Sequence, residues 1–272
     1  MGNWILFLMI FSTVNIYPFI KKVEEIESLS MNRKIPVTII LPSSYTENKK
    51  YSVIYGLHGW SGSFRTFGKI RNIEKMSDEL DIIFVFPDGS WNSWYIDSEI
   101  KENSKYSTFI TDELVKYIDK NYSTHRNREQ RALTGFSMGG FGAFYNGLKN
   151  QDIFGNIGSI SGGLNVENFQ KRWGIKKIIK NNWEEYNIKD ILNVLEKSGV
   201  SLNIIIDCGD KDFFLESNRE VHKKLVEMNI PHVYTEREGG HNKKYWEKSM
   251  EIHIRYFSKK FNESKDKIKS EK

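Results

Sequence analysis

The 272-residue chain has one cysteine, Cys208, which excludes an intrachain disulfide and any multi-cysteine metal site. It says little about redox compartment, because a chain of this length can bury a large core without staples. No H-E-x-x-H segment and no Cys/His cluster is present, so a metal-dependent hydrolase is excluded and no metal is expected. A concentrated basic face is missing too. Of the formal charge of +5, +3 falls in residues 258–272, where six Lys stand against three acids, and the rest is nearly neutral. A nucleic-acid binder would gather Lys and Arg on its folded body, so no nucleic-acid partner is expected. Internal repeats are absent, and the tail is the only low-complexity stretch.

The N-terminal apolar run, Trp4 to Phe11, covers eight residues, short of the roughly 20 that a spanning helix needs and suited to the core of a secretory signal. Residues 1–20 are therefore expected to be a signal peptide, placing the protein outside the cell or in its envelope. No Lys or Arg precedes the run and no A-x-A site follows it, which leaves an uncleaved anchor or a packed strand as alternatives. Unless that segment stays attached, no stable membrane insertion is expected, and if it is not a signal the protein is cytoplasmic.

From residue 35 onward β-rich runs alternate with helical stretches, the pattern of an α/β domain whose mostly parallel sheet is covered on both faces. The strands are expected at Val37 to Leu41, Tyr51 to Leu57, Ile82 to Phe86, Arg131 to Thr134, Ile157 to Ile160, Leu202 to Asp207 and His232 to Glu236. Apolar stripes predict helices over Tyr106 to Asn121, Phe214 to Met228 and Tyr245 to Phe257. A helical bundle would leave the Gly- and Pro-stopped β-rich runs at 81–89 and 201–209 unexplained. One domain over 21–257 is expected, with a polar, Trp-bearing insertion at 164–200 over the carboxyl edge of the sheet and a flexible charged tail at 258–272.

The chemistry gathers around Gly135-Phe136-Ser137-Met138-Gly139, which lies between a β-rich run and a Gly/Ala-rich helix start. A nucleophilic serine on a strained strand-to-helix turn needs neighbours without bulk, and the helix start offers N–H donors where negative charge develops. Met138 follows the serine and supplies one backbone donor of an oxyanion hole. The loop Leu57-His58-Gly59-Trp60, directly after an early strand, supplies the other, with Trp60 the expected donor. His58 precedes the nucleophile, so it is assigned to shaping that loop.

On such elbows the acid and then the base follow the serine. His58 and His125 precede Ser137; His222 and His253 fall in expected helices; His232 begins a strand. His241, in Glu238-Gly-Gly-His-Asn242, remains as general base. The segment Asp207-Cys-Gly-Asp210-Lys-Asp212 offers three aspartates. Asp207 belongs to the strand end, and Asp212 reaches back across the sheet edge better than Asp210, the next candidate.

Together these segments resemble the esterase D / antigen 85-like branch of the α/β-hydrolases, over residues 35 to 257. That branch includes tributyrin-type, feruloyl and acetyl-xylan esterases, S-formylglutathione hydrolases and mycolyltransferases. The resemblance is most specific at Thr134-Gly-Phe-Ser-Met-Gly-Gly-Phe-Gly-Ala143, Gly209-Asp-Lys-Asp-Phe213 and Gly239-Gly-His-Asn242. It implies an α/β-hydrolase fold and a triad at Ser137, Asp212 and His241, favouring Asp212 over Asp210, with no cofactor. The stretch Pro87 to Ser98 looks most like the small esterases in which a Trp-Tyr pair lies beside the site. Trp91, Trp94 and Tyr95, with Trp60, are thus candidate contacts for a sugar or an aryl acid, or else loop packing. Formylglutathione hydrolases carry a cysteine in the early loop, and this chain has none there.

The expected activity is hydrolysis, through an acyl-enzyme, of short-chain acyl or carbohydrate-linked acetyl or feruloyl esters. An acyltransferase with a sugar or lipid alcohol as acceptor would use the same triad, and a non-catalytic carbohydrate-binding module is the alternative from another class.

Overall fold

The computed structural model describes residues 20–270. The expected secretory segment therefore lies almost wholly outside the described residues. The chain opens with a hairpin of β1 (Ile20–Ser28) and β2 (Arg33–Leu41), whose register pairs Ile20 with Leu41 and Ser28 with Arg33. There follow β3 (Ser52–Leu57), α1 (Ile73–Leu80) and β4 (Ile82–Pro87). A continuous helical stretch comes next: α2 (Tyr106–Thr108), a π-helical turn at Phe109–Glu113, and α3 (Leu114–Asn121). Then come β5 (Arg131–Phe136), α4 (Met138–Lys149) and β6 (Asn156–Ile160), with α5 (Ile188–Ile191) and α6 (Val194–Ser198) in the long connection after them. The chain closes with β7 (Asn203–Gly209), α7 (Leu215–Glu227), β8 (Val233–Arg237) and α8 (Lys243–Ser270).

The eight strands form one sheet in the order β1-β2-β4-β3-β5-β6-β7-β8, parallel from β4 to β8 and antiparallel at β1 and β2. This is the expected α/β architecture, with β1 added as an edge strand. β1 escapes a hydropathy reading because its sequence, Ile-Lys-Lys-Val-Glu-Glu-Ile-Glu-Ser, buries only Ile26 and Ser28. Charged side chains on an edge strand also discourage pairing with other chains.

Strand alternation divides the core in two. On one face Tyr55, Val85, Leu133, Ile157 and Ile206 pack with Phe109, Leu114, Phe141, Phe144, Val221 and Leu225 from α3, α4, α7 and the π turn. On the other, Ile54, Phe84, Phe86, Ala132, Ile160 and Ile205 meet Ile73 and Met76 of α1 and Met250, Ile254, Phe257 and Phe261 of α8. The segment 164–200 is polar outside only, for Leu164, Ile175, Ile179, Ile188 and Leu192 are fully buried.

The tail departs from expectation. Residues 258–270 continue α8 instead of forming a flexible end, because Phe261 extends the apolar stripe one turn beyond Phe257 and is buried. Gln130 also donates a side-chain hydrogen bond to the Phe261 carbonyl at 2.9 Å. No described helix is long and apolar enough to cross a membrane.

The chain runs from β3 to β4 on one side of the sheet and then returns to place β5 on the other side of β3. Ligands of open α/β sheets bind at the carboxyl ends of the strands where the order reverses in this way. His58 to Trp60 follow β3 at that point, and Ser137 follows β5.

Candidate active site

Ser137 stands between β5 and α4 at φ 57° and ψ −121°, a strained conformation for a residue with a side chain. The crossing is so tight that a Cβ at residue 139 would fall 1.9 Å from the Leu57 carbonyl oxygen, which accounts for the second glycine of the motif. The backbone N–H of Ser137 is held by the Ile160 carbonyl at 2.9 Å.

The Ser137 Oγ lies 2.8 Å from His241 Nε2, and His241 Nδ1 lies 2.9 Å and 3.1 Å from the two carboxylate oxygens of Asp212. An ionised carboxylate only accepts hydrogen bonds, so Nδ1 carries the proton and Nε2 is left to accept the serine hydroxyl. The Asp212 side chain is fully buried and also accepts the Phe214 N–H at 2.9 Å. The two other aspartates of the loop have separate partners. Asp210 accepts the Gly239 N–H at 2.9 Å, tying the loop of Asp212 to the loop of His241. Asp207 is buried behind the site with Arg237, Tyr245 and Ser249.

Met138 opens α4, and N–H groups in the first turn of a helix have no intrahelical partner. The loop after β3 crosses closely above: a Cβ at residue 59 would sit 3.3 Å from that of Ser137. His58 shapes this loop as expected. Its Nδ1–H donates to the Gly59 carbonyl at 2.8 Å, and its Nε2 accepts the Gly89 N–H at 2.8 Å. Burial pushes its pKa down, which keeps the ring neutral and Nε2 available as an acceptor. Ser61 N–H to the Trp91 carbonyl at 3.0 Å completes the link between the two loops.

A cleft of about 320 Å³ opens over Ser137, lined by Trp60, Trp94, Trp173, Phe213 and Trp246 among others. The expected aromatic wall is thus partly corrected. Trp60 borders the cleft; Trp94 also lines it but is almost fully buried, its indole N–H donating to the Trp173 carbonyl at 3.2 Å, whereas Trp91 does not line it and stands exposed, edge-on to Trp60 at 5.2 Å. Tyr95 is fully buried and its hydroxyl donates to the His58 carbonyl at 3.1 Å, so it is a strut under the loop and not a surface for substrate. The reason lies in the backbone: Trp94 and Tyr95 both take positive φ, 53° and 57°, in a turn that sends their rings inward.

Sequence reasoning passed over Phe213, Phe214 and Trp246. The Phe213 ring lies 4.2 Å from that of His241, and Trp246 meets the same imidazole edge-on at 4.9 Å while stacking on Phe136 at 4.6 Å. Phe213 and Phe214 directly follow Asp212 and Trp246 sits one turn into the helix after His241; proximity in the chain was the available signal. Of the two insertion tryptophans, Trp173 reaches the cleft and stacks on Phe213 at 5.6 Å, while Trp183 is buried away from it. Among the described residues no group of three or more His, Cys, Asp and Glu is placed to hold a metal ion.

Residues 28–256 match the model of the Esterase family. An acetyl esterase from Caldicellulosiruptor saccharolyticus is 29% identical over 232 residues, which cover 78% of this chain and 85% of that protein. The S-formylglutathione hydrolase of Bos taurus is 25% identical over 274 residues, covering 89% and 95%. Among solved structures, a ferulic acid esterase superposes with a TM-score of 0.74 at 27% identity, covering 90% of this chain and 100% of that one. With the family match spanning the sheet from the end of β1 into α8, the chain belongs to the Esterase family and is a carboxylic ester hydrolase of the α/β-hydrolase fold.

Proposed function

We propose that Ser137 is the nucleophile of a serine esterase working through an acyl-enzyme, with His241 as general base and acid and Asp212 as its orienting carboxylate. The observation that carries this reading is the unbroken line from Ser137 Oγ to His241 Nε2 at 2.8 Å and from His241 Nδ1 to Asp212 at 2.9 Å. As Ser137 Oγ attacks the ester carbonyl, its proton passes to Nε2. The carbonyl oxygen becomes an oxyanion facing the N–H groups of Met138 and Trp60, and Asp212 stabilises the imidazolium. Collapse expels the alcohol, which takes the proton from Nε2. Water, deprotonated by the same nitrogen, then releases the acid and restores the serine.

The substrates are short-chain acyl esters or carbohydrate-linked acetyl and feruloyl esters. A cleft of about 320 Å³ walled by aromatic rings accommodates a small or planar acyl group. The similar proteins named an acetyl esterase and a ferulic acid esterase support the same range. If the N-terminal apolar run is a secretory signal, the enzyme meets these substrates outside the cytoplasm.

The test is turnover of p-nitrophenyl acetate and butyrate, methyl ferulate and acetylated xylan by wild type, Ser137→Ala, His241→Ala and Asp212→Asn, with culture supernatant compared against cell lysate. Loss of turnover by about 10⁴-fold or more in Ser137→Ala is expected. Wild-type rates in that variant would sink the mechanism.

A further inference from the structure

Asp207, the first aspartate of the Asp207-Cys208-Gly209-Asp210-Lys211-Asp212 segment, has no place in the triad, yet it is fully buried at the carboxyl end of β7. Its carboxylate collects donors from two other elements. Arg237, at the end of β8, donates from one nitrogen to both oxygens at 2.9 Å and 2.8 Å. Tyr245 donates its hydroxyl from the first turn of α8, and the Ser249 hydroxyl, one turn further on, lies 3.2 Å from the carboxylate and 3.0 Å from the Tyr245 carbonyl, with one proton to share between them. Arg237 also donates to the Ser249 hydroxyl at 2.6 Å, and its guanidinium lies 4.5 Å over the Tyr245 ring.

What this cluster joins is specific. The strand β7 leads through Gly209 into the acid loop, and the segment between β8 and α8 is the loop that carries His241. The Tyr245 ring lies against the backbone of Gly239, two residues before His241, and the Tyr245 N–H donates to the Asn242 side chain at 3.1 Å, one residue after it. Both flanks of the histidine therefore rest on Tyr245, one on its ring and the other on its backbone N–H, and the hydroxyl of that residue is anchored to Asp207. A buried carboxylate in low dielectric holds its donors in place strongly, because leaving any of them unpaired is costly.

We propose that Asp207, with Tyr245, Arg237 and Ser249, forms a positioning cluster that sets the height of His241 over Ser137. This rests on the reading of Ser137 as nucleophile. Its members act through His241 and touch no reacting atom. A displacement well under an ångström at Nε2 suffices to weaken proton transfer from the serine, so the cluster acts on kcat and leaves substrate binding alone.

The experiment compares Tyr245→Phe, Ser249→Ala and Asp207→Asn with wild type, reading kcat and KM for p-nitrophenyl acetate and the rate at which a fluorophosphonate probe labels Ser137. Near-UV circular dichroism confirms the fold at the assay temperature. Tyr245→Phe is expected to lower kcat and the labelling rate together by about tenfold, with KM within about twofold of wild type. Asp207→Asn lowers both further. Should Asp207→Asn fail to fold, the two single-hydroxyl deletions carry the test. A labelled wild type whose folded variants are labelled and turn over equally fast overturns the positioning role alone, whatever their melting temperatures. A wild type that the probe does not label overturns the nucleophile reading and the positioning role with it.

Discussion

The ring of Phe213 lies 4.2 Å from that of His241, although its own side chain is largely open to solvent. An exposed aromatic residue held against the His241 imidazole on one side and stacked on Trp173 on the other is placed both to steady that ring and to meet a planar substrate. Phe213→Ala is therefore expected to reduce kcat/KM for methyl ferulate by about tenfold and for p-nitrophenyl acetate by much less. Phe213→Leu should recover the acetate rate and not the ferulate rate. Equal losses on both esters would show that Phe213 serves His241 alone.

Thr66, Phe136 and Trp246 line both the cleft and a second cavity of about 230 Å³, whose lining also includes Ile70 and Lys243. Removing the indole joins the two. Trp246→Ala is expected to raise the ratio of octanoate to acetate turnover by about tenfold, because several more methylenes gain apolar cover at about 0.8 kcal/mol each when fully buried. The absolute acetate rate falls as His241 loses a packing partner. A series of p-nitrophenyl esters from two to ten carbons measures both effects, and an unchanged chain-length profile would rule out access to the side cavity.

Gly139 has a sharper prediction. Its missing Cβ would lie 1.9 Å from the Leu57 oxygen, which is backbone and cannot swing away as a flexible side chain could. Gly139→Ala must force β3 and α4 apart, at more than the roughly 1 to 3 kcal/mol usual for overpacking. Thermal unfolding should show a marked loss of stability, and any folded protein should have lost esterase activity because the loop carrying Trp60 is displaced. A variant with wild-type melting would contradict the close approach of residue 139 to the Leu57 carbonyl.

These outcomes depend on features that differ in how far the sequence exposed them. The strand runs were readable because buried parallel strands are continuous in Val, Ile and Phe and stop at Gly or Pro, as Ile82–Pro87 and Asn203–Gly209 do. His241 and Asp212 could be singled out as candidates by chain order and loop position, because both lie in short loops after strands. Tyr95 could not be placed, for residue type does not reveal that two successive positive φ angles turn a loop aromatic inward. The last turns of α8 were hidden by their Lys-rich composition, in which Phe261 is a buried apolar anchor. Phe213 and Trp246 were hidden for another reason: their importance comes from where His241 sits in space, which pattern alone does not give.

The last prediction concerns His253, which α8 buries beneath the sheet with Nδ1 2.9 Å from the Thr134 hydroxyl. Burial pushes its pKa down to about 4 from the ordinary 6.5, against a smaller opposing pull from Asp207. As pH falls from 6.5 towards 4, the unfolded chain takes up a proton at this site that the folded chain refuses, so stability declines through that window. At pH 5 the loss amounts to about 2 kcal/mol relative to pH 7.5, by linkage between those two values. His125, also held down to about 4 by its burial and by Lys265 and Lys50, adds a loss of the same sign, as does His58. Substituting His253→Gln, which keeps a polar group near Thr134 but cannot take up a proton, isolates the His253 share. Urea unfolding of both proteins at pH 7.5 and 5.0 is the measurement. The variant is expected to be less stable than wild type at pH 7.5, and to lose about 2 kcal/mol less between the two pH values. Parallel losses in the two proteins would mean that His253 titrates as freely in the folded chain as in the unfolded one.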